Sequence, residues 1–337
     1  MNKKSFIGLI ILVFIVVVIG VYFSIIQRAE EKPPAVYQVG ILSGLDYIAE
    51  AADGFKAGMA ELGYLEGEDI IYDCQKTDFD MAEYRRILNK FVADQVDLIF
   101  VFPTEASQEA KIATQETGTP VVFTVANIEG TGLVESLAEP GGNITGVRYP
   151  GPDIALQRFE IMRELAPEAK RYWIPYQRGY PIIASQLEVL YQEAEEAGIT
   201  LIEAPADNAA EVQTLLDERD KLDDIGFDVI MALAEPLYVT PDAFSVICEF
   251  AAEHKIPNAG ALIEIEGCGS LFGVHIHNFN TGKQAAPLAD KILRGIPAGT
   301  IPVVSAESYF QLNYKVAEEL GLTVPEGLLE RANEIIR

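Results

Sequence analysis

Short, continuously apolar runs alternate along this chain with stretches whose apolar residues recur at helical spacing. Val36–Leu42, Ile70–Cys74, Val96–Phe102, Val121–Val125 and Ile144–Tyr149 read as strands. Between them, Ile48–Leu62 carries Ile48, Ala52, Phe55, Met59 and Leu62 on one helical face and stops at Gly63, a C-cap residue. Met81–Asp94 and Ser107–Thr117 are the next helices. The second half repeats the plan. Helices are predicted at Ile154–Leu165, Ile183–Ala197, Ala209–Lys221, Pro241–His254, Lys283–Leu293, Tyr314–Leu320 and Leu328–Ile336. Strands are predicted at Arg171–Tyr176, Thr200–Ala204, Asp228–Leu233, Asn258–Ile263, Ser270–Val274 and Ile301–Val304. Apolar strands separated by helices indicate parallel sheets covered on both faces. Two such runs predict an α/β protein of two doubly wound lobes, with the strand carboxyl ends lining a shared cleft.

One run is too long for this pattern. Phe6–Ile26 is 21 residues without a charge, preceded by Lys3 and Lys4. That is the length of a bilayer-spanning helix, and the lysines place the short tail in the cytoplasm. A cleaved signal peptide is the less favoured reading, because the run exceeds a typical h-region and no good cleavage site follows. No cysteine lies near its end for a lipid attachment. Either way the domain after residue 30 is expected outside the cytoplasm, on a single-pass anchor or secreted.

Charge sharpens this division. The 337 residues hold 25 Lys+Arg and 51 Asp+Glu, a net of −26. Four basic residues against two acidic ones leave the first 33 residues at +2, so the rest carries −28. Such acidity excludes nucleic-acid binding, which needs a basic footprint.

Chemistry-bearing motifs are sparse. There is no phosphate loop, no G-x-G-x-x-G after the first strand, no G-x-S-x-G elbow and no H-E-x-x-H. Hence no cofactor, metal or catalytic residue is expected, and nothing argues for an enzyme. His275 and His277 share a strand face but lack a third ligand, so they read as solvated residues rather than a metal pair. Cys74, Cys248 and Cys268 are odd in number and widely spaced, which predicts no disulfide framework; Cys74 and Cys248 read as core.

Three segments carry a family resemblance. DGFKAGMAELGYLEGE at Asp53–Glu68 is similar to a first-helix signature G-F-x-x-G-[LM]-x-E-L-G-Y-x-E-G. GLVESLAEPGGNITG at Gly132–Gly146 matches G-L-V-x-S-L-x-x-P-G-G-N-[IV]-T-G, and AEELGLTVPEGLL at Ala317–Leu329 resembles the family ending. Together they resemble the substrate-binding proteins of ABC transporters related to the tryptophan/tyrosine-binding type, with a type I periplasmic-binding-protein-like fold. The likeness runs from about Tyr37 to Ile336. It implies two interleaved lobes with a hinge: 36–148 with 276–304, and 149–275 with 305–337, after a tail at 1–5, an anchor at 6–26 and a linker at 27–35. The family's T-D-P-V after the fourth strand is replaced by Ala126-Asn127-Ile128-Glu129. The glycines of Pro140-Gly141-Gly142-Asn143 read as a tight turn rather than ligand contacts.

The strand-end loops supply the candidate ligand residues: Ser43, Asp46, Tyr47, Thr104, Glu105 and Asn127 from the first lobe, and Tyr176, Arg178, Glu235 and Glu264 from the second. Helix N-termini after Ser43 and Thr104 can donate N–H groups to a carboxylate. Tyr47 and Tyr176 can stack on a flat ligand, Asp46, Glu105 and Glu235 can take an ammonium, and Arg178 a carboxylate. Four acids against one base point to an amine-bearing small molecule. The expected function is the solute-binding subunit of an ABC importer, partnered by permease and ATPase subunits and by the membrane through its anchor. A sensing ectodomain of the same fold is the alternative, weakened by the short N-terminal tail and the lack of a C-terminal cytoplasmic module.

Overall fold

The computed structural model describes residues 36–337 apart from 234, 236 and 266. The expected tail, anchor and linker at 1–35 lie outside the described residues. Among the described residues no helix is long and apolar enough to cross a membrane.

In chain order the first half forms β1 (Tyr37–Ser43), α1 (Glu50–Glu61), β2 (Ile70–Lys76), α2 (Met81–Ala93), β3 (Leu98–Phe102), α3 (Thr104–Thr114), β4 (Val121–Ala126) and β5 (Ile144–Arg148). Next come α4 (Gly151–Leu165), β6 (Arg171–Gln177), α5 (Ile183–Ala197), β7 (Thr200–Ala206), α6 (Ala209–Asp220), β8 (Val229–Met231), α7 (Pro241–His254) and β9 (Asn258–Gly260). The last part holds the hairpin β10 (Glu264–Ile265) and β11 (Cys268–Gly269), then β12 (Phe272–Ile276), α8 (Asn278–Leu293) and β13 (Val304–Ser305). It ends with β14 (Ser308–Asn313), α9 (Tyr314–Glu319), α10 (Glu326–Arg331) and β15 (Glu334–Ile336).

The strands make two sheets. The first runs β13-β5-β4-β3-β1-β2 and is parallel throughout. The second runs β15-β14-β12-β9-β8-β6-β7, parallel except for the antiparallel β12–β14 pair. All five residues of β3, LIFVF, are buried, as a central strand covered by helices on both faces requires. The chain passes between the sheets after β5, after β12 and after β13. The result is a two-lobed α/β fold.

Glycines of the first-helix signature have a packing role. A Cβ on Gly54 would lie 1.8 Å from the Phe279 carbonyl oxygen, and one on Gly282 would lie 1.9 Å from that of Ala51. A Cβ on Gly58 would meet Ala286 Cβ at 2.7 Å. Helices α1 and α8 therefore touch backbone to backbone, which residues with side chains would prevent. The PGGN turn is likewise structural. Gly141 and Gly142 have φ of 76° and 56°, the Gly141 N–H donates to Gly299 O, and Asn143 Nδ2 donates to Thr114 Oγ1 at 2.8 Å.

Three expectations need correction. Cys248 and Cys268 form a disulfide that ties α7 to the β10–β11 hairpin. Wide spacing concealed it because the chain over this separation of 20 folds back through β9 and that hairpin. Cys74 is exposed, since β2 is an edge strand of its sheet rather than a core one. The expected helix at Leu328–Ile336 stops at Arg331, and Glu334–Ile336 pairs with β14 instead. Strand β14 itself, in polar-rich SYFQLN, had no reading at all; its backbone pairs on both sides.

Candidate functional site

Strand carboxyl ends of both sheets border one cavity of about 120 Å³. Roughly four water molecules would fill it. From the first sheet come Leu45, Tyr47 and Ile48 after β1, Pro103 and Thr104 after β3, and Val125 and Asn127 around the end of β4. Tyr149 follows β5 at the first passage between lobes. The second sheet supplies Tyr180 and Ile182 after β6, Glu235 and Val239 after β8, Ala261 after β9, and His275, Ile276 and Asn278 around the end of β12. Apolar walls with a few convergent polar groups are what a solute pocket requires.

Glu235 is the charged group of this lining. Its side chain is 4% exposed and accepts from the backbone N–H groups of Gln177 at 3.2 Å and Leu237 at 2.8 Å. Burial disfavours its ionised form more than these donors favour it, and its pKa is pushed up to about 7. At the rim, the Tyr180 phenol donates to Glu105 Oε1 at 3.1 Å, a contact that joins the lobes. Glu105 Oε2 is buried without a partner. Burial and this carboxylate raise the Tyr180 pKa. On the first wall Thr104 Oγ1 accepts from the Asn127 N–H at 3.0 Å. Desolvation and the neighbouring Tyr149 raise the Tyr47 pKa, although the residue is 52% exposed. Among the described residues no cluster of His, Cys, Asp and Glu could hold a metal.

Of the candidates read from the sequence, Tyr47, Thr104, Asn127 and Glu235 line the cavity, and Glu105 stands at its rim. The others lie elsewhere. Ser43 is buried with Oγ unpaired, and Asp46 is an exposed residue whose N–H faces Asp78. The Tyr176 phenol is spent on Glu203 at 2.5 Å. Arg178 pairs with Asp207 and Glu211, so it is not a free cation for a ligand. Glu264 is exposed on the hairpin beside a second hollow. Glu129, the acid that shifted position in the fourth-strand loop, pairs with Arg148.

Tyr149, Tyr180, His275 and Asn278 were missed. Tyr149 closed a predicted strand and Tyr180 lies three residues beyond the end of β6, so reading each strand end slightly further would have found both. His275 is not solvated as expected. It is half-buried, with Nε2 2.9 Å from Gln311 Oε1 and its ring beside Tyr309.

Comparison with known proteins decides the family. Residues 39–336 match the family described as ABC transporter substrate binding protein. The chain belongs to this family. The substrate-binding protein is 29% identical over 261 residues to a tyrosine-binding protein of Clostridioides difficile, covering 77% of this chain and 72% of that one. A conserved domain protein from Vibrio cholerae has a solved structure with TM-score 0.75 and 28% identity, over 89% of this chain and all of that one. An ABC domain from Streptococcus pneumoniae in complex with L-Trp gives TM-score 0.76 at 24% identity, over 90% and 100% of the two chains. These place the substrate-binding protein in the periplasmic-binding-protein-like fold, in a family of solute binders rather than enzymes.

Proposed function

We propose that the protein captures a small amine-bearing or aromatic amino-acid-like solute between its lobes, outside the cytoplasm, and presents it to the permease and ATPase subunits of an ABC importer. The observation that carries this reading is the cavity itself: a buried carboxylate, Glu235, among the rings of Tyr47, Tyr149 and Tyr180 at the strand carboxyl ends of both lobes. A carboxylate in low dielectric favours a cation beside it, and tyrosine rings favour a flat or cationic partner. The named ligands of the two relatives, tyrosine and L-Trp, have this chemistry. Lobes that meet through the solute close around it, and the closed shape is the signal a permease can read. The Cys248–Cys268 disulfide supports an oxidising, extracytoplasmic setting.

The test is a calorimetric panel on the full-length protein: aromatic and aliphatic amino acids, simple amines, dicarboxylates and sugars. An aromatic amino acid is expected to bind most tightly. Tighter binding of a plain dicarboxylate than of any amine would overturn the reading.

A further inference from the structure

Arg158 is the only buried Lys or Arg among the described residues, with no exposed surface. It projects from α4 across the carboxyl ends of the second sheet. Nε donates to Val274 O at 3.0 Å, Nη2 donates to the same oxygen, and Nη1 donates to Ala232 O at 3.4 Å. Nη2 also reaches the Tyr149 phenol oxygen, at 3.5 Å. No carboxylate lies within 4.0 Å of it among the described residues. A guanidinium buried without a counter-ion is costly, and carbonyl dipoles offset only part of that cost. Burial accordingly lowers its pKa.

The phenol of Tyr149 completes the picture. Its oxygen accepts from Arg158, and its own O–H has no acceptor among the described residues. The ring is 8% exposed and lines the cavity. A buried O–H donor, backed by a cation on a residue that lines the cavity, lacks one thing: an anionic acceptor. Arg178, the cation expected to fill that role, is held by Asp207 and Glu211.

We propose that Tyr149 receives the carboxylate of the bound solute and that Arg158 is the positioning residue behind it, supplying the positive charge through the phenol. This rests on the reading that the solute is amino-acid-like, and it deepens it. Glu235 and the unpartnered oxygen of Glu105 then serve the ammonium end, while Arg158 and Tyr149 serve the acid end. A solute carrying both charges satisfies both, whereas one lacking the carboxylate leaves the buried guanidinium uncompensated.

The experiment is calorimetry on the full-length protein with L-tyrosine, L-tryptophan and their decarboxylated amines, tyramine and tryptamine. Wild type is expected to prefer the amino acid over its amine by about tenfold or more, the worth of one charge-assisted hydrogen bond. Tyr149→Phe keeps the ring, so it should remove that preference by weakening the amino acid alone. Arg158→Lys should retain part of the preference, and Arg178→Ala all of it. Equal weakening of acid and amine by Tyr149→Phe, or no weakening, overturns the assignment while leaving the proposed function standing. A wild type that binds amine as tightly as amino acid does the same. If neither class binds, both fall together.

Discussion

The two walls of the cleft are built on different physical terms. The lining from the first sheet is uncharged, with the Tyr47 ring, the Thr104 hydroxyl at the start of α3, the Asn127 carboxamide, and apolar Leu45, Ile48, Pro103 and Val125; its acid, Glu105, stands at the rim against Tyr180. Opening the cleft exposes nothing there that water cannot satisfy. The second sheet carries the buried charges, with Glu235 in the lining and Arg158 beneath Tyr149 and β12. The supporting structures differ in the same way. The first lobe is held by bare backbone contact between α1 and α8, whereas the second carries a covalent tie, Cys248–Cys268. One wall offers shape and neutral groups with a carboxylate only at its rim; the other holds charge within it, and with it selectivity among ligands of similar shape.

The largest effect is expected where the first lobe has no slack. Gly282→Ala puts a Cβ into the Ala51 carbonyl, and only separation of α1 from α8 relieves it. The loss should be on the order of 3 kcal/mol or more, read as a shift in a denaturant melt. Gly327→Ala, in α10 with nothing within 4 Å, is the matched control and should be neutral or slightly stabilising. Equal melts for the two variants would remove the distinction drawn for α1 and α8.

Reduction of Cys248–Cys268 should cost about 3 kcal/mol, given the 20-residue separation, and should act on the second lobe. Calorimetric scans with and without reductant test this. A first-lobe transition that moves as much as the second would contradict the division.

Glu235→Gln should act only through pH, by no more than about 3 kcal/mol. The native carboxyl binds its proton more tightly than the unfolded one, about 7 against 4.5. Wild-type stability from this group is therefore full below pH 4.5 and is lost as pH rises through 7. The variant should gain on wild type at pH 8 and not at pH 4.5. Affinity for an amine should rise from pH 6 to 8 in wild type and stay flat in the variant. An identical pH profile for both proteins would show that Glu235 does not titrate in this range.

Legibility in the sequence followed the same contrast. The apolar strands of the first sheet and their helices stood out because burial on both faces writes an uninterrupted run, as in LIFVF. Strand β14 did not, because one of its faces leaves Tyr309 and Gln311 half-exposed, and its polar ends are an exposed Ser308 and a buried Asn313 that caps α9. Strand-end reasoning reached Tyr47, Thr104, Asn127 and Glu235. It failed for Arg178 and Tyr176, since proximity in sequence to a strand end does not fix which way a side chain turns or which acid claims it. Arg158 left a trace that was not used: it lies four residues from both Ile154 and Met162, on the buried stripe of α4, where a charge needs a reason. The disulfide left none, because pairing depends on where the β10–β11 hairpin folds back.

The passages of the chain between sheets also set an order of assembly. The first sheet lacks its edge strand, and α1 lacks its partner α8, until residues 278–305 have been made. Nascent chain up to β12 must therefore wait with the Ala51, Gly54 and Gly58 stripe of α1 uncovered, while most of the second sheet is already complete. The lobe that begins first in sequence closes late, after most of the lobe that follows it has been made.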